Sequence, residues 1–490
     1  LEHGARMSEI ELKFQIPPSK LKALRLAFLR QQPEDLHLHA KYFDTAHLDL
    51  QQHQISLRQR KENKIWVQTL KAPKNSIERI EIETELGEPE PSAIDLRPYT
   101  QHKKIQQLLK PVLQSHDPLS LQFETHILRQ RFLHLQNSSQ VELSLDLGKI
   151  SAAEQNLEVH EIEFELKEGN IQDLIQAIQP WLKKYQIWLD SQSKAVKGQL
   201  LQQNKSAPAV QYQSVLKLKP HADSISALQQ MVSNCLEHLL PNSSAIALEQ
   251  YEAGHVHQAR VAIRRLRSAF KSFQSPQIAH AEIWQEQLAE LFRQLGNTRD
   301  RDALAESLIP QLKQAGSPLT ELPAQSSAEQ IQISAVFRAP STTRLLLELI
   351  EFANSEQAQG KSLKKHIHQQ LNKMHRQICQ AESAFVQMQA SEKHQVRKRV
   401  KRLRYSVEFV ASLYPQSEIK QYLKALKPLQ ENLGRFNDLC VAHALFEQSI
   451  ALQPKAWFVL GWIASEQKHI ELTIQKDLQR FNQVQRFWLI

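Results

Sequence analysis

Glu9, Glu11, Lys13 and Gln15 alternate with Ile10, Leu12, Phe14 and Ile16. A period of two belongs to a β-strand, so the charges share one face and the apolar side chains the other. The pattern returns at Arg79, Glu81, Glu83 and Glu85, and again at Glu161, Glu163, Glu165 and Lys167. Shorter runs align Ser56, Arg58 and Arg60, then Arg129 and Arg131, then Glu142, Ser144 and Asp146. Carboxylates hold hard cations through oxygen, whereas guanidinium and ammonium groups hold anions. One such strand is more often simply half solvated. Acidic and basic strands closed into one barrel, charges inward, would make a site for a metal-bound polyanion.

The elements needed to position these residues are legible. Besides the first strand, extended runs are expected near 40–45, 54–60, 65–71, 77–86, 122–133, 140–147 and 158–167, giving eight in all. Helices are expected near 21–28, 103–114, 170–186 and 192–203, and a linker over Gln202–Gln213, where no helical stripe runs. From Ser214 the apolar period becomes helical, with Pro241, Pro276, Pro310, Pro415 and Pro428 expected near breaks and 315–341 as a loop.

The chain has 490 residues, 41% hydrophobic and 23% charged, which fits a protein of two or more domains with ordinary cores. Eleven glycines are few, and argue for a large helical part. No apolar run reaches the roughly 18 residues of a membrane span, so no membrane partner is expected. Cys235, Cys379 and Cys440 are odd in number and far apart, which argues against a disulfide framework and for a reduced, cytoplasmic setting. Leu1–Arg6, ahead of Met7, read as an appended segment.

The net charge of +9 is uneven. Residues 1–200 hold 26 Lys and Arg against 27 Asp and Glu, and residues 201–490 hold 35 against 25. The second part therefore carries the excess and is expected to meet a polyanion. It also repeats itself: Arg260, Arg264, Arg265, Leu266 and Arg267 return as Arg397, Lys401, Arg402, Leu403 and Arg404, each 137 residues later. His257, Arg260, Arg264, Arg267 and Lys271 step by three and four along one helix face, and His394, Arg397, Lys401 and Arg404 do the same. Solvated faces usually mix in acids, and the first stripe has none. A third basic cluster runs from Lys361 to Arg376. Nucleic acid is the less favoured partner, because no aromatics are interleaved for base stacking.

Glu9-x-Glu11-x-Lys13, with Tyr42-Phe43-Asp44-Thr45, Leu57-Arg58-Gln59-Arg60, Thr69-Leu70-Lys71 and Ser193-Lys194, resembles the CYTH domains, or triphosphate tunnel metalloenzymes, over residues 7–200. His257-x-x-Arg260-Val-x-x-Arg264-Arg-Leu-Arg267 resembles the CHAD domain, a basic helical domain associated with polyphosphate, over 214–490. The resemblance implies an α+β multidomain chain: an eight-stranded antiparallel β-barrel, then an all-α domain of two pseudo-symmetric helical bundles.

By the same resemblance, Glu9, Glu11, Glu163 and Glu165 coordinate Mg²⁺ or Mn²⁺, with Glu83 and Asp146 completing the acidic set. Lys13, Arg58, Arg60, Lys71, Arg131 and Lys194 act on the triphosphate, and Lys41, Arg129 and Lys149 bind it less directly. Polyphosphate falls to His257, Arg260, Arg264, Arg265, Arg267, Lys271, His394, Arg397, Lys401, Arg402 and Arg404. The expected activity is hydrolysis of inorganic triphosphate. Thiamine triphosphate, a nucleoside triphosphate, adenylate cyclisation and a non-catalytic polyphosphate-binding protein stay open.

Overall fold

The structure, a computed structural model, describes residues 9–73, 78–101, 103–114, 117–219, 222–273, 278–323, 332–356, 360 and 362–489. The side chains of Glu9 and Arg79, together with Pro276 and Lys361, lie outside the described residues. Nine strands form one antiparallel sheet: β1 (Glu9–Gln15), β2 (Glu34–Asp44), β3 (Ser56–Glu62), β4 (Ile65–Pro73) and β5 (Glu78–Gly87). Then follow β6 (Ser120–Gln136), β7 (Ser139–Ala152), β8 (Gln155–Glu168) and a two-residue β9 (Trp188–Leu189).

The helices of this part are α1 (Pro18–Leu29), α2 (Asp49–Gln52), α3 (Lys103–Gln114), α4 (Ile171–Tyr185) and α5 (Lys194–Gln202). Beyond them run α6 (Ser224–Ala247), α7 (Ala253–Phe273), α8 (Ala281–Gln294), α9 (Asn297–Gln314) and α10 (Ile333–Arg338). The last are α11 (Pro340–Asn354), α12 (Leu363–Cys379), α13 (Ala390–Val410), α14 (Gln416–Ser449) and α15 (Ala456–Asn482). No helix among the described residues is long and apolar enough to cross a membrane.

Sheet order is β5-β4-β3-β2-β6-β7-β8-β1-β9, and β1 also meets β5 through Glu9↔Arg79 and Ile10↔Glu78. Directly opposed residues of antiparallel strands share a face, so register decides which charges meet. Asn63 and Asn137 take the left-handed conformation in the two-residue turns joining β3–β4 and β6–β7, a conformation asparagine tolerates well.

The sheet's apolar faces are covered piecewise. Leu57, Leu70 and Ile82 pack with Tyr99, Ile105 and Leu109 of the segment around α3. Phe28 of α1 meets Phe132 and Trp181, and Trp181 of α4 meets Phe164. On the opposite face, Leu36, Leu38, Phe123, Ile127, Ile150 and Val159 cluster with Ala195 of α5. Gly198 allows this close approach, because a Cβ there would stand 2.2 Å from the Phe123 ring.

The chain divides into two compact units, and the division is not one cut near residue 210. The sheet's unit also takes in Leu236–Ala259 and Ile333–Ser355, while the other holds Gln213–Cys235, Arg260–Gln332 and Glu356–Ile490. Within the sheet's unit α11 packs on α4, and the Arg338 guanidinium lies 5.3 Å from the Trp188 ring centre.

The expected repeat is present in the helices. The bounds of α7 and α13 are separated by 137 residues at both ends. The counterparts diverge next: α8 and α9 are separated around Leu295-Gly296, whereas α14 continues unbroken through Leu433-Gly434. Three prolines do not break helices as expected: Pro241, Pro310 and Pro428 lie inside α6, α9 and α14. A proline removes one backbone donor, and buried neighbours such as Leu239, Leu308 and Leu429 keep each helix continuous. The expected loop at 315–341 contains α10, whose Ile333, Val336 and Phe337 are buried.

Candidate functional site

Following the ladders from strand to strand places the alternating charges together. Arg58 opposes Tyr42 and Thr69, and Ser56 opposes Lys71. Thr69 opposes Glu83, and Lys71 opposes Glu81. On the other side, Arg129 opposes Asp146, Asp146 opposes Glu161, and Glu161 opposes Gln15. Glu142 opposes Glu165, and Glu163 opposes Lys13. All therefore stand on one face, shared with the apolar cluster beneath α5.

Two neighbouring networks occupy this face. In the first, Arg129 forks onto Asp146 at 2.7 and 2.6 Å and also donates to Glu163. Lys194 Nζ lies 2.6 Å from Asp146, 2.7 Å from Glu163 and 3.0 Å from Glu161. Lys197 pairs with Glu161 and, at 2.8 Å, with Asp190. Lys13 donates to the Gln192 carbonyl and stands 3.8 Å from Glu161. Burial would raise the Glu161 carboxyl, but Lys13, Lys194 and Lys197 outweigh it and hold the group well below the usual carboxylate range. Glu163 is depressed in the same way, burial being overcome by Lys194 and Arg129. Burial likewise works against the Lys194 charge, yet Asp146, Glu161 and Glu163 keep its ammonium firmly protonated.

In the second network Arg58 lies 3.7 Å from Glu81, which also pairs with Lys71 at 2.9 Å. Burial favours the neutral Tyr42 phenol, but the Arg58 charge and hydrogen bond prevail and lower its pKa. Arg60 donates to Glu62 at 2.6 Å and lies 3.9 Å from Glu83, whose carboxylate accepts from Thr69 at 3.2 Å. Arg131, farther along β6, pairs with Glu34 at 2.9 Å and lies 3.6 Å from Glu142. Glu165 pairs with Lys167 at 2.5 Å.

Local sequence explains the placements. The buried Asp44 carboxylate accepts from the backbone of Thr45, Leu50 and Gln51, fixing α2 at the end of β2. That Asp-Thr pair is thus a cap, and Tyr42 is the motif's contribution to the charged face. Ser193 accepts from the Val196 amide and starts α5 at Lys194. A cation at a helix N-terminus is unfavourable, and here three carboxylates offset it.

Two expected triphosphate ligands do not join the set. Lys41 opposes Gln59 and Glu124, so it stands on the other face, paired with exposed Glu90. Lys149 opposes His126 and Glu158 and is exposed there too. One residue of register moves a side chain to the other face, and each lies an odd number of residues from an inward neighbour, Tyr42 or Asp146. Residues absent from the expected set but central to it are Glu161, Glu81, Tyr42 and Lys197. Glu161 and Glu81 lie in the alternating runs, and Lys197 follows Lys194 by one helical turn.

The acidic oxygens suit a hard divalent cation in type, all being carboxylates. Among the described residues, however, no three of them come within 4.8 Å of one another. Lys194 and Arg129 hold Asp146, Glu161 and Glu163 around themselves instead.

The basic helices form a second candidate region. On α7, Ile263, Leu266, Phe270 and Phe273 are buried, and on α13 Val400, Leu403, Val407 and Val410 are buried. Arg264 donates to the Tyr405 hydroxyl at 3.5 Å, and Ser406 to Ser272 at 2.9 Å, joining the two helices. Lys401 carries the clearest electrostatic sign. Burial, then Arg264 and Arg397, push its ammonium down to about 6 despite Asp438. Burial and Arg399 also lower Arg402. Lys271 is lowered first by Arg402, then by burial, Arg267 and Lys398.

Several of the expected polyphosphate ligands have structural partners. Arg265 is buried, lies 5.0 Å from the Phe409 ring centre and donates to Asn234 at 3.0 Å, so it does not present its charge on this face. Arg260 is buried over Phe292 and donates to the Gly296 carbonyl at 3.0 Å. Arg404 pairs with Glu408 at 2.8 Å. His394 lies 3.1 Å from the Asn437 amide oxygen, and His257 lies one turn before Arg260 on α7.

Residues 7–198 match the CYTH domain family, and residues 230–447 match the CHAD domain family. An inorganic triphosphatase of Haemophilus influenzae is 30% identical over 210 residues, which is 40% of this chain. The chain spans 55% of that relative's length. The CHAD domain of the plant Ricinus communis is 28% identical, with a TM-score of 0.45, over 57% of this chain and 98% of that one. A Hippeastrum protein described as having a dominant triphosphatase activity is 20% identical, with a TM-score of 0.28, over 40% of this chain and 96% of that one.

Proposed function

We propose that this chain, which carries a CYTH domain followed by a CHAD domain, is a metal-dependent inorganic triphosphatase whose helical domain binds polyphosphate. The carrying observation is the register that puts acids and bases from seven strands on one face. The two-residue ladder between β1 and β5 supports its closure into a tunnel. Three cysteines without disulfide partners fit a cytoplasmic protein.

Phosphoryl transfer to water needs position and charge neutralisation more than covalent help. Arg58, Arg60 and Lys71 offer donors from one wall, and Arg129, Arg131, Lys13 and Lys194 from the other. An entering triphosphate would exchange their carboxylate partners for phosphate oxygens. Released in that way, Glu163 and Asp146, with Glu11, Glu165 and Glu83 on the same face, would hold Mg²⁺ or Mn²⁺. When bound, such a cation neutralises phosphate charge and lowers the pKa of its water. The Arg58-bound Tyr42 hydroxyl fixes the guanidinium for its task.

In the helical domain, Arg264, Arg267, Lys271, Arg397, Lys401 and Arg402 crowd like charges that an extended polyanion would relieve. The depressed Lys401 supports this reading. Phosphate release from inorganic triphosphate, with and without Mg²⁺, tests the catalytic half. Thiamine triphosphate and ATP serve as competing substrates. Polyphosphate binding without any phosphate release would mean that the sheet only grips phosphate.

A further inference from the structure

On the face of the sheet away from the charged networks, His39 of β2 stands directly opposite His126 of β6. Glu124 lies two residues before His126 and therefore on the same face. The imidazoles stack with ring centres 4.2 Å apart, inclined by 15°. Both turn Nε2 toward one carboxylate oxygen, Glu124 Oε2, at 3.2 Å from His39 and 3.6 Å from His126. The donor atoms all lie within 4.8 Å of one another, and among the described residues no other three such donors converge.

We propose that His39, His126 and Glu124 form a binding site for Zn²⁺ or a similar borderline transition-metal ion, separate from the charged face that takes triphosphate. Two imidazoles and a carboxylate are the ligand types that such ions select over Mg²⁺. Bonds of about 2.0–2.2 Å in a tetrahedron separate ligand atoms by roughly 3.3–3.6 Å. The two carboxylate–imidazole distances already fall close to that spacing, and the whole donor set lies within 4.8 Å. Two stiff, paired strands carry the ligands, so little ordering is needed on binding.

Access is open. The side chains are 32% exposed for His39, 29% for Glu124 and 46% for His126. Burial and the neighbouring His39 lower the proton affinity of His126, favouring the neutral ring that ligates. Of the nearby cations, Lys41 pairs with Glu90, exposed Lys149 faces Glu158 across the β7–β8 ladder, and Lys61, opposite His39 on β3, is exposed to solvent. A fourth coordination position remains for water or another ligand.

Trp66 supplies a local probe, its ring centre lying 6.1 Å from that of His39. The test titrates Zn²⁺ into the full chain by calorimetry in excess Mg²⁺, which occupies all-oxygen sites. Cu²⁺ quenching of Trp66 fluorescence, defined against Trp66→Phe, then places the ion. Wild type should take up one equivalent of Zn²⁺ and show Cu²⁺ quenching. His39→Ala/His126→Ala should lose both. The near-isosteric Glu124→Gln should weaken Zn²⁺ by at least the roughly 10–100-fold that even an outer-shell loss costs. Circular dichroism and Mg²⁺-dependent triphosphate hydrolysis should be unchanged, since none of the three faces the charged networks. Should the double variant not fold, Glu124→Gln and His126→Asn carry the same comparison. Equal Zn²⁺ uptake by wild type and folded variants, or no uptake by wild type, overturns the proposal.

Discussion

The ammonium of Lys194, first residue of α5, lies 2.6 Å from the fully buried Asp146 carboxylate of β7. The same ammonium holds Glu163 and Glu161 of β8, so one side chain ties a helix to two strands. Removing one member of a buried ion cluster leaves an uncompensated charge, at a cost of about 3–5 kcal/mol. Lys194→Met should therefore lower the thermal midpoint markedly as well as abolish hydrolysis. Glu163→Gln keeps shape and leaves Arg129 and Lys194 paired with Asp146 and Glu161, so the fold should stand while Mg²⁺-dependent phosphate release is lost. Unchanged turnover of Glu163→Gln at saturating Mg²⁺ would rule out its role in holding the cation.

Arg60 already uses its fork on Glu62 and approaches Glu83 at 3.9 Å. A planar guanidinium can present two parallel donors to a phosphate, which an ammonium cannot. Arg60→Lys should cut kcat/KM for triphosphate by at least about tenfold, the equivalent of roughly 1.4 kcal/mol. Arg30→Lys, on an exposed position after α1, should change nothing. Equal kinetics for the two would mean that Arg60 does not touch substrate.

Helix α5 reaches the charged face only because residue 198 has no side chain. A Cβ at Gly198 would meet Phe123 Cδ2 and Cε2 at 2.2 Å, and that ring is stacked on Tyr42 with centres 4.5 Å apart. Neither ring can yield easily, so Gly198→Ala should cost about 1–3 kcal/mol. Activity should fall too, since α5 carries Lys194. Gly434→Ala is the opposite case: nothing lies within 4 Å, and the position is inside α14. It should stabilise by roughly 0.5–1 kcal/mol. Chemical denaturation of both variants decides between these signs.

Much of the charged face is legible in the sequence because alternation survives any tertiary context: Arg58, Arg129, Asp146 and Glu163 stand on one face as the period of two requires. Lys41 and Lys149 stand elsewhere because motif neighbours, unlike parity with Tyr42 and Asp146, do not fix a face. The role of Glu161 as a hub is hidden, since nothing along the chain says that Lys13, Lys194 and Lys197 converge on it. In the helices, spacing locates the stripe but not its depth. Arg265 faces Asn234 and Phe409 because two neighbouring helices enclose that turn, and one helix's periodicity cannot report its neighbours. The sharing of Leu236–Ala259 and Ile333–Ser355 with the sheet's unit is likewise a tertiary outcome.

If the basic face takes up a polyanion, Lys401 should make that binding pH-dependent. Burial, Arg264 and Arg397 push it to about 6 in the folded chain, against about 10.4 when unfolded. Between those values the unfolded chain binds more protons, so this group makes stability rise with pH across that window. A polyanion on the same face favours the ammonium, so binding should take up a proton above pH 6 and weaken as pH rises past about 6. Calorimetry of polyphosphate binding in buffers of different ionisation enthalpy measures the uptake. Lys401→Met should abolish it, and uptake that persists in that variant would assign the proton elsewhere.

Polyphosphate binding and triphosphate hydrolysis should separate by domain. The stripe from His257 to Lys271 runs about 21 Å at the helical rise of roughly 1.5 Å per residue, long for a single phosphate but suited to an extended chain. Arg260 is buried and donates to the Gly296 carbonyl, so the variant changes the more exposed Arg264, Arg267 and Lys271. Every phosphate deprived of its cationic side chain should flatten the logarithmic salt dependence by roughly 0.7–0.9, by analogy with nucleic-acid backbones. Replacing the three by Gln should therefore reduce the slope by about 2–3 and weaken long-chain polyphosphate binding, most of all at low salt. Hydrolysis of triphosphate should stay the same, because none of these residues belongs to the sheet. The measurement is a salt titration of polyphosphate affinity beside a phosphate-release assay, on wild type and triple variant. If affinity and slope both survive, the stripe is a solvated face and the polyanion site must be sought elsewhere.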